Sequence, residues 1–246
     1  MIDTHAHLTS RFNRETGDID GVDYVILAGS SFVDSIENIK LAKNDKKLLA
    51  GVGIHPQEVS KEVDEAINNL DKLLIENKNI VAVGECGLEY VDQIDKDLQV
   101  KFFEKQIELS LKYDKALIVH SRKAADDTLE ILKKYQNLRG VIHCYSGGKK
   151  RIDQFLKLSR EWYFGIDGNL TYESGLEEIV KFLPQDRLVL ETDYPFLTPI
   201  PHRGEKNRPE YIRYIYQKVS EIWGKSIKDT ENIIDDNAKK LFRIIR

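Results

Sequence analysis

Eight short, apolar, β-branched runs recur along the chain, at 2–5, 24–28, 48–54, 80–83, 116–119, 140–143, 162–166 and 188–190, beginning 22 to 36 residues apart. Several are apolar at every position rather than at alternate ones, the pattern of strands covered on both faces. The segments between them carry helical period. Val59, Val63, Ile67, Leu70 and Leu74 fall on one stripe, as do Leu98, Phe102, Ile107 and Leu111, then Leu129, Leu132 and Tyr135, with charged residues on the remaining faces. Ile234, Ala238, Leu241, Phe242 and Ile245 make a last amphipathic helix. Strand and helix alternating in this way over 246 residues predict an α/β fold, a (β/α)8 TIM barrel in which residues 1–246 form a single domain. An open doubly wound sheet is the competing architecture, since a strand count does not establish closure.

No run approaches the length of uncharged apolar chain that a membrane span needs, so no membrane partner is expected. The opening MIDTHAHL has no basic stretch followed by an apolar block, and no signal peptide is expected. Two cysteines, Cys86 and Cys144, make no disulfide framework and fit a reducing, cytoplasmic setting. With a net charge of −4, bulk attraction to nucleic acid is excluded, and any polyanion must be held locally.

In a TIM barrel, reactive residues gather where strands end, on the C-terminal face. The first run ends in Asp3-Thr4-His5-Ala6-His7, the third in His55-Pro56, the fourth in Gly84-Glu85-Cys86-Gly87, the fifth in His120-Ser121-Arg122, the sixth in His143-Cys144-Tyr145 and the eighth in Glu191-Thr192-Asp193. Five of the six histidines lie at these ends, and His202 follows in the last loop. His5 and His7, two apart, project from the same side of a strand and suit one cation. His120 and His143, on neighbouring strands, can converge on a second. Glu85 and Asp193 add carboxylates, and Glu85, whose strand lies between those of the two histidine sets, is the natural bridge between two ions.

Taken singly, each residue has a structural reading. His7 can bond a loop carbonyl, His120 and His143 can be core histidines, Glu85 can pair with an arginine, and Asp193 can cap a turn. Glu89 and Asp92 read as a solvated loop, and Cys86 and Cys144 as packing. His55, beside Pro56, reads as a substrate contact rather than a ligand. Jointly, six ligand-type side chains at five strand ends predict a site for one or two divalent ions, with zinc, manganese, magnesium, nickel and iron all admitted.

Basic residues follow the same strands: Arg122 and Lys123, then Lys149, Lys150 and Arg151, then Arg203, Lys206 and Arg208. In an acidic chain they read as a funnel for an anionic substrate, against the bland reading of solvated helix starts. Gly147 and Gly148 open the helix after the sixth run, where backbone N–H groups can receive a phosphate. Tyr90, Tyr145, Tyr172 and Tyr194 are candidates for stacking on bases.

The motifs DTHAHL, GIHP, VGECGLEY, IVHSR, HCYSG and ETDYPFL, in that order, resemble those of the TatD-like metal-dependent hydrolases, usually described as deoxyribonucleases, in the amidohydrolase superfamily. The resemblance spans nearly the whole chain. It implies a distorted TIM barrel, metal ligation by His5, His7, Glu85, His120, His143 and Asp193, and nuclease activity supported by magnesium. The chain departs from the family's RGKRNEP pattern at Arg203-Gly204-Glu205-Lys206-Asn207-Arg208-Pro209 and carries Glu89 where Asp is usual, changes that bear on substrate preference.

The expected reaction is hydrolysis of a phosphodiester, foremost in DNA, by a metal-activated water. Glu85 and Asp193 are the catalytic carboxylates, Asp193 serving as general base. His55, Arg122, Arg203, Lys206 and Tyr145 are the expected substrate contacts. A barrel that hydrolyses carboxylic esters or amides, such as an aminoacyl-tRNA ester, is the rival enzyme, and a non-catalytic metal-binding barrel the rival of another class. No protein partner is predicted.

Overall fold

The computed structural model describes residues 1–12, 19–91 and 94–244. Eight strands lie in sequence order in one sheet: β1 Ile2–Ala6, β2 Tyr24–Leu27, β3 Leu48–Val52, β4 Ala82–Glu89, β5 Ala116–Arg122, β6 Gly140–Ile142, β7 Trp162–Ile166 and β8 Leu188–Leu190. Every neighbouring pair from β1–β2 to β7–β8 is parallel. The last seam, β8 to β1, carries no ladder. It is closed by a parallel bridge between Ala6 and Tyr194 and by Thr4 Oγ1, which donates to the Leu190 carbonyl at 3.0 Å. The Asp193 and His7 amides donate across it to the carbonyls of His5 and Tyr194. The fold is therefore a nearly closed (β/α)8 barrel, and the open doubly wound sheet is excluded.

Between the strands run α1 Phe32–Asn44, α2 Val63–Glu76, α3 Lys96–Tyr113, α4 Ala125–Leu132, α5 Lys149–Leu158 and α6 Ser174–Phe182. After β8 follow α7 Ile212–Trp223 and α8 Ile227–Phe242. Local chemistry sets several of the ends. Ser31, Asp95 and Ser226 accept first-turn backbone N–H groups of α1, α3 and α8, and Gly224 ends α7 in the left-handed conformation. The strands are buried on both faces. Val83, Leu117 and Phe164 belong to one apolar cluster with Phe102 and Ile107 of α3. Residues of opposite parity, Ile2, Ile26, Ala82, Ile118, Val141 and Val189, pack in a second cluster with Ala238 and Leu241 of α8. Burial on both faces is why several of these runs are apolar throughout.

Two boundaries differ from the sequence reading. The helix expected from Val59 begins at Val63, because residues 55–62 form the irregular segment that carries His55. The fourth strand does not end at Val83 but continues to Glu89, paired with β5 as far as Arg122 after a register irregularity between Val83 and Cys86. Glycine makes that extension possible: at Gly87, φ +144°, a Cβ would lie 2.0 Å from the His120 carbonyl oxygen. Asp92 and Ile245, both singled out above, lie outside the described residues.

Candidate metal centre

His5 near the end of β1 and His7 just after it stand side by side, their Nε2 atoms 3.2 Å apart. Glu85, aimed inward from the irregular part of β4, places Oε2 3.3 Å from His5 Nε2 and 3.5 Å from His7 Nε2. Asp193, held left-handed at φ +56° after β8, places Oδ1 3.5 and 3.6 Å from the same two nitrogens. Ligands about 2.1 Å from a tetrahedral centre stand roughly 3.4 Å from one another. These five separations match that figure.

The other carboxylate oxygen faces a second set. Glu85 Oε1 lies 2.7 Å from His120 Nδ1 and 2.8 Å from His143 Nε2, and those nitrogens are 3.1 Å apart. The His5 and His143 rings stack at 4.2 Å. One carboxylate thus serves two imidazole pairs, the arrangement a bridging ligand needs. Ring nitrogens converging at hydrogen-bond distance, beside buried carboxylates, require protons or cations between them, so this donor set fits divalent metal.

Electrostatics agree. Burial alone would push Glu85 up, but the imidazoles of His143, His55 and His5 hold its carboxyl well below the usual range. Asp193, partly buried, is held down by its bond with His7 and by the neighbouring rings. Burial lowers His5, whereas the carboxylates overcome burial and raise His7, His120 and His143. Both acids are therefore ionised, and cations compete with protons for the imidazoles.

A layer of polar groups lies behind the rings. Ser30 Oγ meets His7 Nδ1 at 3.1 Å, Glu89 Oε2 meets His120 Nε2 at 2.8 Å, and Glu191 Oε1 stands 3.6 Å from His143 Nδ1. Glu89 is thus not in the solvated loop that the sequence suggested. It closes β4, buried, and also accepts from Gln57 Nε2 at 2.8 Å. A period-two signal did exist, since Glu85 and Glu89 are four apart and a strand puts such residues on one side. Asp3 lies deeper, accepting from the backbone of His5 and Thr192 and from the Thr192 hydroxyl, and burial pushes it up to about 7.

The cluster opens into a cavity of about 520 Å³, whose rim includes Arg11, Phe12, His55, Arg122 and Phe196. Arg11, Phe12 and Phe196 went unread in the sequence, which carries no periodic or motif signal for them. Of the expected substrate contacts, His55 and Arg122 are there, Arg122 NH1 3.4 Å from Glu89 Oε1. The other three are not among the cavity-lining residues. Tyr145 is buried against Phe164, with its hydroxyl donating to the Gly148 carbonyl at the start of α5. The Arg203 guanidinium lies 4.0 Å over the Tyr172 ring, and the Lys206 ammonium 5.1 Å over that of Tyr194.

Of the other basic residues, Lys149 pairs with Glu178 and Arg151 with Asp126. Tyr90 bonds Asp127. Cys86 packs against the Ile118 carbonyl, and Cys144 lies at the cavity, where burial pushes its thiol up.

Comparison with known proteins bears on all of this. The profile of the family described as TatD related DNase matches residues 2–243. The chain is 30% identical over 256 residues to the uncharacterized metal-dependent hydrolase YabD of Bacillus subtilis, covering 99% of both chains. It is 27% identical to the uncharacterized metal-dependent hydrolase YcfH of Escherichia coli, covering 99% of this chain and 96% of the other. Among solved structures it is similar to YjjV, a TatD homolog from Escherichia coli, with a TM-score of 0.90 at 27% identity, covering 100% and 98% of the two chains.

Proposed function

This chain belongs to the TatD family of metal-dependent hydrolases, and we propose that it cleaves phosphodiester bonds in DNA with two divalent cations, for both of which Glu85 would supply a carboxylate oxygen. The observation carrying this reading is that the two oxygens of Glu85 each face a separate pair of imidazole nitrogens. His5, His7 and Asp193 would complete one site, and His120 and His143 the other. Cations bound there supply Lewis-acid activation of water and charge neutralisation. The imidazole-rich donor set favours zinc, manganese, iron or nickel over magnesium.

The chain's own groups supply the rest. Asp193, ionised and held by His7, takes the proton from the attacking water at a carboxylate oxygen and returns it to the leaving oxygen. Arg11, which also pairs with Glu58, and Arg122 line the cavity and offset the phosphate charge, while Arg203 and Lys206 are not among its lining residues. Phe12 and Phe196, edge to face at 6.0 Å, offer a base an aromatic wall, which favours a nucleic acid over a small ester. Among the described residues no helix is long and apolar enough to cross a membrane. The free thiols of Cys86 and Cys144 support a reducing, cytoplasmic setting.

The test is to load the protein with metal and offer it end-labelled single-stranded DNA and a panel of carboxylic esters, with His143→Ala as control. Cleavage of DNA that is lost in the control supports the reading. Ester hydrolysis without DNA cleavage overturns it in favour of the acyl-transfer chemistry of a carbonyl substrate.

A further inference from the structure

β3 and β4 are paired only as far as Val52 and Val83, whereas β4 runs on to Glu89 beside β5. Past Val83, β4 has no ladder with β3, and buried backbone N–H and C=O groups on that side need other partners.

α3 supplies them. Gln99 Oε1 accepts from the Glu89 amide at 2.8 Å, and Gln99 Nε2 donates to the Glu89 carbonyl at 2.9 Å. Gln106 does the same for Ile54, just past β3, at 2.8 and 3.0 Å. Both glutamines are fully buried. A carboxamide carries a donor and an acceptor, so each side chain stands in for a neighbouring strand. Seven residues are two turns, about 10.5 Å along the axis, so both leave the same face of α3.

The two glutamines differ in what they hold. Ile54 has no polar side chain to offer the metal centre. Glu89 stands directly behind it: Oε2 meets His120 Nε2 at 2.8 Å, and His120 Nδ1 faces Glu85 Oε1 at 2.7 Å. β5 holds the Glu89 backbone on one side, through the pairing of Glu89 with Arg122, and Gln99 holds it on the other.

We infer that Gln99 is a positioning residue for the metal centre: by gripping both backbone groups of Glu89 it sets the carboxylate that orients the His120 ring. It acts through Glu89 and touches neither cation nor substrate. The proposal rests on the reading of His120 as a ligand, and Gln106 is its internal control.

Gln99→Met, Gln106→Met, Glu89→Ala and the double variant Gln99→Met/Glu89→Ala are compared with the wild type. Zinc affinity is read by competition with a chromophoric chelator, and stability by urea denaturation. Gln99→Met should weaken zinc binding about tenfold, the lower end of the range for losing support behind a ligand. In the Glu89→Ala background the same substitution should change affinity less than about twofold, because a residue acting through a missing side chain has nothing left to move. Gln106→Met should lose stability, having lost the same pair of bonds, and keep its zinc affinity within about twofold of the wild type. Should Gln99→Met not fold, Gln99→Glu, which keeps the acceptor and loses the donor, is read against Glu89→Ala in the same way. Wild-type affinity in the Gln99 variant, equal losses in both backgrounds, or a loss in Gln106→Met as large as in Gln99→Met would overturn the proposal while leaving the metal centre standing. A His120→Ala variant that binds zinc as tightly as the wild type would remove His120 from the ligands, and the proposal with it.

Discussion

Glu89 Oε2 meets His120 Nε2 at 2.8 Å while the same ring turns Nδ1 to Glu85 Oε1 at 2.7 Å. The imidazole is thus held between two carboxylates, one behind it and one in the metal cluster. Such a carboxylate fixes the tautomer and orientation of a ligating histidine, and its loss typically costs 10- to 100-fold in metal affinity. Glu89→Ala should weaken metal binding by about that factor in competition with a chromophoric chelator. Unchanged affinity would show that His120 needs no support from β4.

Phe196 is half exposed and meets Phe12 edge to face at 6.0 Å. If the pair stacks on a base, Phe196→Ala should raise KM for a single-stranded oligonucleotide by roughly tenfold, within the usual stacking range, and leave metal content as it was. Because the ring packs little of the core, the melting temperature should barely move. An unchanged KM removes the aromatic wall from the account.

Much of this arrangement is legible in the sequence, and the failures have physical causes. The eight runs stand out because their strands are buried on both faces, and the histidines because they sit at strand ends. β4 was read too short because Gly84, Glu85 and Gly87 look like the end of a strand. In fact the glycines let the chain approach β5 closely and turn Glu85 inward. Glu89 was misplaced with it. Arg203 and Lys206, expected at the substrate from their place after the eighth run, are not among the cavity-lining residues, and their cations lie over the rings of Tyr172 and Tyr194. Arg11 and Phe12 sit in a loop after β1, where no periodicity points into the cavity.

Gly165 on β7 has no room for a side chain. A Cβ there would lie 2.3 Å from Glu191 Oε2, on a buried carboxylate whose other oxygen accepts the Cys144 amide. Overpacking of this kind costs about 1–3 kcal/mol. Gly165→Ala should lose that much stability in urea denaturation, and a loss under about 0.5 kcal/mol would mean that Glu191 yields freely.

Asp167, just after β7, accepts from the Asn169 amide at 2.7 Å, and burial pushes its carboxyl up to about 7 from the ordinary 3.8. The folded chain therefore keeps a proton that the unfolded chain releases between about pH 4 and 7. Its contribution to stability is complete below about pH 4 and is lost as pH rises through 7. Asp167→Asn cannot ionise and should gain on the wild type between pH 5 and pH 8, by on the order of 2 kcal/mol. Parallel stability curves for the two proteins would contradict this.

The central claim is that one carboxylate joins two cation sites. The most direct measurement is the metal stoichiometry of Glu85→Ala beside that of the wild type, by equilibrium dialysis against zinc or manganese. The account predicts about two ions per wild-type chain, fewer than one in the variant, and no turnover by the variant. A variant that binds as much metal as the wild type would contradict it.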